Sequence, residues 1–451
     1  MVQKSKQMEL ASEKKGEALK VGRSGQMISA TRTRTVPGGG SLMERVLSRS
    51  NMQRALKRVK RNKGSAGIDG MGVDELGPWL VGHWVEIRAE IEGGRYRPSP
   101  VRHVTIPKRG GGERMLGIPT VLDRLIQQAL LQVLSAQFDG GFSEHSYGFR
   151  PGRSAHGAVR QAQRYIQGGK RWVVDVDLEK FFDRVNHDVL MGKLAKRIDD
   201  RSVLALIRRY LVAGVMANGV VMERYEGTPQ GGPLSPLLAN VLLDDVDKEL
   251  ETRGHEFVRY ADDLRVFVGS KRAGERVMNS LIKLFGKLRL QVNESKSAVD
   301  QVWHRPFLGF SFWRTSDGLV KMKVAPKAQA AMKTRVRQLT RRSRGRSLEQ
   351  IATELRAYLL GWKGYFRLAE TRGVFLRHDQ WIRHRLRCFQ LKQWKRGTTA
   401  FRELRVRGAS EALAAKIAAN TRRWWRNSGM AIHIVLPNSL FDGLGVPRLA
   451  T

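Results

Sequence analysis

Two apolar, aspartate-containing segments constrain the fold of this chain more than any other feature of its sequence. The first, residues 172–177, reads Trp-Val-Val-Asp-Val-Asp. Its alternation predicts a β-strand with Val174 and Val176 on one face and Asp175 and Asp177 on the other. Aspartate is depleted in strands, so two on one face require an explanation.

The second segment predicts a hairpin with acids at its tip. Residues 257–260 and 264–268 are rich in β-forming side chains, and Asp262 and Asp263 lie between them. An ordinary aspartate turn is the favoured interpretation if residues 260–263 are considered alone. An alternative interpretation is a metal site. Three carboxylates that converge from neighbouring strands can hold two Mg²⁺ ions about 3.5–4 Å apart for phosphoryl transfer.

The net charge indicates a polyanionic partner. The 451 residues include 81 Lys and Arg against 42 Asp and Glu, a net charge of +39. Nucleic acid is the most common polyanion, and ribosomal and membrane-surface proteins are the competing classes. Residues 1–66 carry +12 and residues 321–407 carry +19, so the middle of the chain is nearly neutral. This distribution predicts a catalytic middle between two binding segments.

The sequence also excludes several classes of protein. It has no run of about 18 apolar residues and no apolar stretch near its start, so we expect neither a membrane span nor a secretory signal. Its single cysteine, Cys388, excludes a disulfide framework and a zinc site of paired cysteines. Residues 1–41 predict a flexible basic arm, and apolar spacing from Leu42 onward predicts a pair of basic amphipathic helices.

Further motifs follow one another in the order of a known family. Tyr260-Ala261-Asp262-Asp263 resembles the active-site box of reverse transcriptases, and residues 177–183 resemble the other metal-binding block of that family. More specifically, from about Leu42 to its end the chain is similar to the reverse transcriptase/maturase proteins of bacterial group II introns. The motifs that carry this similarity lie at residues 62–70, 106–108, 117–120, 146–154, 228–236, 307–310, 360–367, 381–387 and 422–447.

The resemblance implies an α+β fold with the right-hand architecture of polymerases. Fingers and palm are expected at 42–318, an α-helical thumb/maturase (X) domain at 319–407, and a small C-terminal DNA-binding segment at 408–451. With one cysteine, the chain resembles members that lack the HNH endonuclease. It is expected to bind its group II intron RNA as a ribonucleoprotein, promote splicing, and copy the intron into target DNA from dNTPs during retrohoming. We expect it in the bacterial cytoplasm, at the nucleoid during mobility, and not at a membrane.

The resemblance also assigns the catalytic residues. Asp177, Asp262 and Asp263 are expected to hold two Mg²⁺ ions, with the backbone carbonyl of Leu178 as an additional ligand. No protein side chain is required as a general base for the primer hydroxyl.

Four residues are expected to contact the incoming nucleotide. Lys108 and Arg114 flank a glycine turn and would pair with the triphosphate, although a merely basic hairpin is the alternative. Phe182 would lie under the sugar and exclude a 2′-hydroxyl, with core packing as its alternative. Gln230, in a glycine-rich loop, would contact the nascent base pair.

A third group is expected to bind primer, template or intron RNA. Gly309 lies in an aromatic, strand-like run that would grip the primer, and a β-core role is equally compatible. The arginines of the helical region suit phosphate contacts, whereas Trp362, Tyr365 and Phe366 suit core packing. The arginines are Arg335, Arg337, Arg341, Arg342, Arg344, Arg383, Arg385 and Arg387.

Two other functions compete with this hypothesis. A pure splicing factor with a vestigial polymerase would lose metal carboxylates before basic residues, but here Asp177, Asp262 and Asp263 are all present. A domesticated relative in phage defence, or one attached to a CRISPR system, is opposed by the maturase-like stretch.

Overall fold

The computed structural model describes residues 40–107, 113–217, 220–222, 226–228, 231–429 and 431–450. Nearly all of the predicted arm therefore lies outside the described residues. Residues Ser41–Thr451 form one compact unit. None of its described helices combines the length and the apolar run that are needed to cross a membrane.

The α-helices are α1 (Leu42–Leu47), α2 (Arg49–Asn62), α3 (Leu76–Glu92), α4 (Val121–Phe138), α5 (Ala155–Gln167), α6 (His187–Ala195), α7 (Arg201–Val212), α8 (Ser235–Thr252), α9 (Lys271–Lys287), α10 (Pro326–Leu339), α11 (Leu348–Phe366), α12 (Arg372–Gln393), α13 (Gly397–Val406), α14 (Glu411–Ala418), α15 (Trp424–Ser428) and α16 (Asn438–Gly443).

The described strands form three sheets, most of whose pairs are antiparallel. The strands are β1 (Val101–Pro107), β2 (Glu113–Ile118), β3 (Trp172–Val176), β4 (Val215–Ala217), β5 (Val220–Met222), β6 (Glu256–Tyr260), β7 (Asp263–Val268), β8 (Ala298–Gln301), β9 (Phe310–Arg314) and β10 (Val320–Val324). The central sheet has the order β6-β7-β3-β8, the second sheet has the order β2-β1-β4-β5, and β9 and β10 form a ribbon. This mixture of helices and mainly antiparallel sheets agrees with the predicted α+β class.

Capping side chains explain where several helices begin. Before α1, the Ser41 hydroxyl accepts from the Glu44 backbone N–H, and the Glu44 carboxylate accepts from the Ser41 N–H. Ser347 and Gln350 make the same reciprocal pair before α11. Each such cap stabilises a helix by about 1 kcal/mol. The predicted pair of basic amphipathic helices is confirmed by α1 and α2, whose apolar side chains are buried.

The central sheet separates two hydrophobic cores. Val174 and Val266 point into the first core, which reaches back to α1. Val173 and Phe267, their neighbours in sequence, point into the second core, which includes α10, α11 and α12. Both faces of the sheet are therefore covered, because adjacent residues of a strand point to opposite faces. The second core continues without a break into Phe441 and residues beyond it.

Three polar side chains on α12 clasp the end of the chain. Asp379, Arg383 and Arg387 are spaced by four residues, so they share one side of the helix, and all three are buried. The Asp379 carboxylate accepts from the Leu449 and Ala450 backbone N–H groups at 2.9–3.0 Å. We call this set the α12 clasp. It ties residues 436–450 to the helical region.

Candidate active site

Adjoining strand ends carry the three predicted metal-binding aspartates. The predicted strand is confirmed as β3, and the predicted hairpin is confirmed as β6 and β7 joined by a turn at residues 261–262. In the β3–β7 pair, Asp175 lies opposite Arg265 and Val176 lies opposite Leu264. If this antiparallel register continues by one residue, Asp177 lies opposite Asp263. The fold thus brings the acids from both segments to one end of the central sheet.

Electrostatic repulsion characterises this end of the sheet. The pKa of the Asp263 carboxyl is raised to about 6, chiefly because burial disfavours its charged form. The negative charges of Asp175 and Asp262 contribute to this rise, and the positive charge of Arg265 opposes it. The Arg265 Nε lies 3.4 Å from the Asp263 Oδ1. A raised carboxylate pKa next to other carboxylates is the condition that a bound cation would relieve.

The donor set suits a hard divalent cation in type. Carboxylate oxygens are the ligands that Mg²⁺ prefers, and Asp177, Asp262 and Asp263 supply them. As they stand, no three His, Cys, Asp or Glu side chains among the described residues are grouped closely enough to hold a metal. Asp177 instead pairs with Lys296, whose Nζ lies 3.3 Å from the Asp177 Oδ2. Leu178 is buried and bridges to Val292 of the segment before β8.

Asp175 has a structural environment that its position in the strand pattern did not reveal. Its Oδ1 lies 3.1 Å from the Arg265 Nη2, and its Oδ2 accepts from the Arg305 Nε at 2.7 Å. Two guanidinium groups therefore neutralise it beneath the acids, so we assign it no ligand role. Sequence analysis missed Arg265 and Arg305. An arginine within the apolar strand β7 was the available signal for Arg265, whereas Arg305 lies between β8 and β9.

The predicted nucleotide-contacting residues are only partly described. Lys108 and Gln230 lie outside the described residues. Arg114 is in β2 opposite Ile106, and its side chain is likewise outside the description. Phe182 is half-buried in a short 3₁₀ helix, Phe181–Asp183, and its carbonyl accepts from the Thr228 N–H at 2.7 Å. This bond places the segment that precedes Gln230 next to the end of β3.

Gly309 lies against a helix of the second core. Its φ is +82°, a left-handed conformation that favours glycine, and a Cβ on it would lie 3.2 Å from the Phe366 ring. The Tyr365 hydroxyl donates to the carbonyl of the preceding Leu308 at 2.9 Å. Gly309 therefore permits close approach of α11 to the strand, and its predicted contact with the primer stays a prediction.

Two tryptophans, Trp381 on α12 and Trp424 on α15, each contact two cations. Arg337 and Arg385 lie 5.6 and 5.5 Å from the Trp381 ring centroid. Arg342 and Lys392 each lie 4.5 Å from the Trp424 ring centroid. We call these six residues the aromatic basic face. Such pairs hold the cations in place while leaving charge available to a polyanion.

The other predicted RNA-binding arginines divide into exposed and paired groups. Arg335 and Arg341 are exposed. Arg344 is also exposed, but its Nη1 donates to the Glu354 carboxylate at 2.7 Å. Its charge is therefore partly neutralised, and it is the weaker candidate for a phosphate contact.

The structure contradicts the predicted RNA contacts of Arg383 and Arg387. The Arg383 guanidinium donates to the Asp442 carboxylate at 2.7 Å and to the Val446 carbonyl at 2.9 Å. Arg387 donates to the Leu436 carbonyl and to the Asn438 side chain, each at 2.9 Å. Both side chains are buried within the α12 clasp, so neither guanidinium faces a surface that RNA could reach.

Comparisons with known proteins agree with the positions of these features. Residues 106–312 match the family described as reverse transcriptase (RNA-dependent DNA polymerase), and residues 329–408 match the group II intron maturase-specific domain. Protein YkfC of Escherichia coli (strain K12) is 31% identical over 275 residues, which are 52% of this chain and 72% of YkfC. Group II intron-encoded protein LtrA of Lactococcus lactis subsp. cremoris is 42% identical over 164 residues, which are 36% of this chain and 27% of LtrA.

Solved structures are similar to part of the chain. A chain of a partial Cas6-RT-Cas1–Cas2 complex covers 58% of this chain and 46% of its own length, with 24% identity and a TM-score of 0.36.

Proposed function

This chain belongs to the reverse transcriptases that carry a group II intron maturase-specific domain, and we propose that it copies RNA into DNA and assists splicing of its parent intron. The observation that carries the polymerase activity is the placement of Asp177, Asp262 and Asp263 at adjoining ends of β3 and the β6–β7 hairpin. In this proposal, residues 42–318 are fingers and palm, 319–407 are the thumb/maturase domain, and 408–451 are the DNA-binding segment.

The three aspartates and the Leu178 carbonyl would hold two Mg²⁺ ions, which would lower the pKa of the primer 3′-hydroxyl and stabilise the leaving pyrophosphate. Lys296 would offset the charge of Asp177 in the absence of metal, because its ammonium lies 3.3 Å from the carboxylate. Arg265 and Arg305 pair with Asp175 below, which limits the repulsion that this fourth acid adds.

The remaining proposed roles concern substrate selection. Lys108 and Arg114 would pair with the triphosphate across the β1–β2 hairpin, whose strands are in register up to Pro107 and Glu113. Phe182 would exclude a 2′-hydroxyl, and Gln230 would contact the nascent base pair. Thr228 connects these two regions through its bond to the Phe182 carbonyl.

The proposed partners are intron RNA, target DNA and dNTPs, in a ribonucleoprotein of the bacterial cytoplasm. The aromatic basic face supports RNA binding, because its cations contact the tryptophan rings and two of them, Arg337 and Arg342, are exposed. Retrohoming, the copying of the intron into a DNA target, would combine both activities in one chain.

The test of this function begins with purification from the native host and sequencing of the copurified RNA. Enrichment of a group II intron identifies the RNA partner, and that RNA is then used in splicing assays at near-physiological Mg²⁺. The same protein is given a DNA primer annealed to an RNA template, with dNTPs. Absence of both primer extension and stimulated splicing would contradict the proposal.

Neutralising two exposed arginines in the turn after α10 should weaken RNA binding. We expect Arg341→Gln with Arg342→Gln to lower intron affinity and to reduce the slope of log affinity against log salt by up to about 0.7–0.9 per lost phosphate contact. Arg344 is left intact because of its pairing with Glu354. Filter binding at several salt concentrations measures the slope.

The matched control is Arg272→Gln with Arg276→Gln, which removes the same charge from exposed positions on α9. This pair should leave the slope near that of the parent protein. Equal slopes for the two double variants would mean that Arg341 and Arg342 act only through net charge.

A further inference from the structure

We propose that Arg259 is a positioning residue, which holds the tip of the β6–β7 hairpin so that Asp262 and Asp263 point toward the metal site. The inference rests on the proposed function of that site. Arg259 is a residue of β6 and is only 1% exposed. Burial removes the water that hydrates a guanidinium group. A buried arginine is therefore tolerated only where its N–H groups donate hydrogen bonds to protein acceptors.

The guanidinium of Arg259 connects helix α8 to the hairpin turn. Its Nε and Nη2 donate to the Asp247 carboxylate at 2.8 and 2.5 Å. Its Nη1 donates both to the Asn240 side chain and to the Ala261 carbonyl, each at 2.9 Å. Asp247 and Asn240 are also fully buried, so α8 supplies a rigid base for the contact with Ala261.

Ala261 is the residue that this contact constrains. Its φ is +60°, in the left-handed region, which costs an L-residue with a side chain roughly 1–2 kcal/mol. Such a conformation persists only where the surrounding structure imposes it. Because Asp262 and Asp263 follow directly, a change in the Ala261 backbone would redirect both carboxylates.

The segment that contains Gly148 makes a second contact with the same turn. A Cβ at Gly148 would lie 2.2 Å from the Ala261 backbone nitrogen, so only glycine permits this approach. The Gly148 carbonyl in turn accepts from the Asn240 side chain at 2.9 Å. The turn is therefore held between the Gly148 segment and Arg259, with Asn240 bonded to both.

Stability alone does not account for a buried ion pair at this position. Desolvation of two charges offsets most of their attraction, and apolar residues of similar volume often replace such pairs without loss of stability. What apolar residues cannot supply is a forked donor that bonds to a carboxylate, an amide and the Ala261 carbonyl at once. Positioning of the turn explains why the fork is needed.

The test uses Arg259→Lys in the full chain. Lysine preserves the positive charge beside Asp247 but lacks the planar fork that reaches Ala261. Mn²⁺ alone serves as the probe, and free Mn²⁺ is measured by electron paramagnetic resonance during titration. We expect its dissociation constant to rise on the order of tenfold or more, as for other residues that orient metal ligands. Single-nucleotide addition should slow with a raised Mg²⁺ requirement, while KM for dNTP at saturating Mg²⁺ changes little.

Arg383→Lys is the matched control, because Arg383 is another buried arginine paired with an aspartate. It should lower thermal stability without changing Mn²⁺ affinity. If Arg259→Lys fails to fold, the pair Arg259→Met with Asp247→Leu removes both charges and is measured in the same way.

The outcomes separate this inference from the proposed function. Wild-type affinity for Mn²⁺ and a wild-type rate in the folded Arg259 variant would overturn the positioning role and leave the polymerase proposal intact. If the parent protein neither binds Mn²⁺ through Asp262 nor extends a primer, the proposed function fails, and the positioning role fails with it.

Discussion

Replacing Asp262 with asparagine is expected to reduce DNA synthesis on an RNA template by about three orders of magnitude or more. The amide keeps the shape of the side chain but removes the negative charge that would hold Mg²⁺. Loss of several kcal/mol of transition-state stabilisation corresponds to this change in rate, because each 1.36 kcal/mol is about tenfold. Primer extension under single-turnover conditions measures the effect.

The same variant should bind intron RNA and support splicing nearly as well as the parent protein. The aromatic basic face contains none of the three aspartates, so RNA affinity does not depend on them. Asp317→Asn is the matched control, because Asp317 is an exposed acid in the turn between β9 and β10. It should retain full DNA synthesis. Equal loss of splicing and synthesis in Asp262→Asn would show that the two activities are not separable.

Replacing Arg383 with methionine is expected to destabilise the C-terminal region by about 3 kcal/mol. Methionine fills much of the volume, but the Val446 carbonyl loses its donor and Asp379 loses the nearby positive charge. Removing one partner from a buried pair costs several kcal/mol because the remaining groups stay desolvated. Hydrogen exchange of backbone amides at 436–450 should accelerate by up to about a hundredfold.

Arg385→Met provides the control on the same helix. The Arg385 Nε donates to the Thr340 hydroxyl at 2.7 Å and its guanidinium stacks on Trp381, without a described bond to residues 436–450. Its removal should cost less than about 1 kcal/mol and leave those amides protected. Parental exchange rates in Arg383→Met would mean that the α12 clasp does not stabilise the end of the chain.

The acids of the candidate site could be found from sequence because their signals are local. Alternation of valine and aspartate predicts β3, and two apolar segments around Asp262 and Asp263 predict the hairpin. Each inference needs only a few neighbouring residues. Because β3 and β7 are antiparallel neighbours in the sheet, the end of β3 lies beside the start of β7, and the acids of the two segments come together there.

The buried arginines could not be found in this way. Arg383 lies in a cation-rich stretch of the sequence, and its partner Asp442 is 59 residues away. Arg259 pairs with Asp247, which lies 12 residues earlier on another element. Spacing of four along α12 and an arginine within an apolar strand were available signals, but both patterns also occur on exposed surfaces.

Local residue order therefore establishes the family, the three aspartates and the positive charge of the helical region, because each depends on side-chain type and short-range periodicity. Chain folding alone decides which of the many cations can reach a nucleic acid and which are internal supports. The physical reason is desolvation: the same guanidinium is a phosphate ligand when exposed and a structural hydrogen-bond donor when buried. Burial depends on partners that are distant in sequence, such as Asp442 for Arg383 and Asp247 for Arg259.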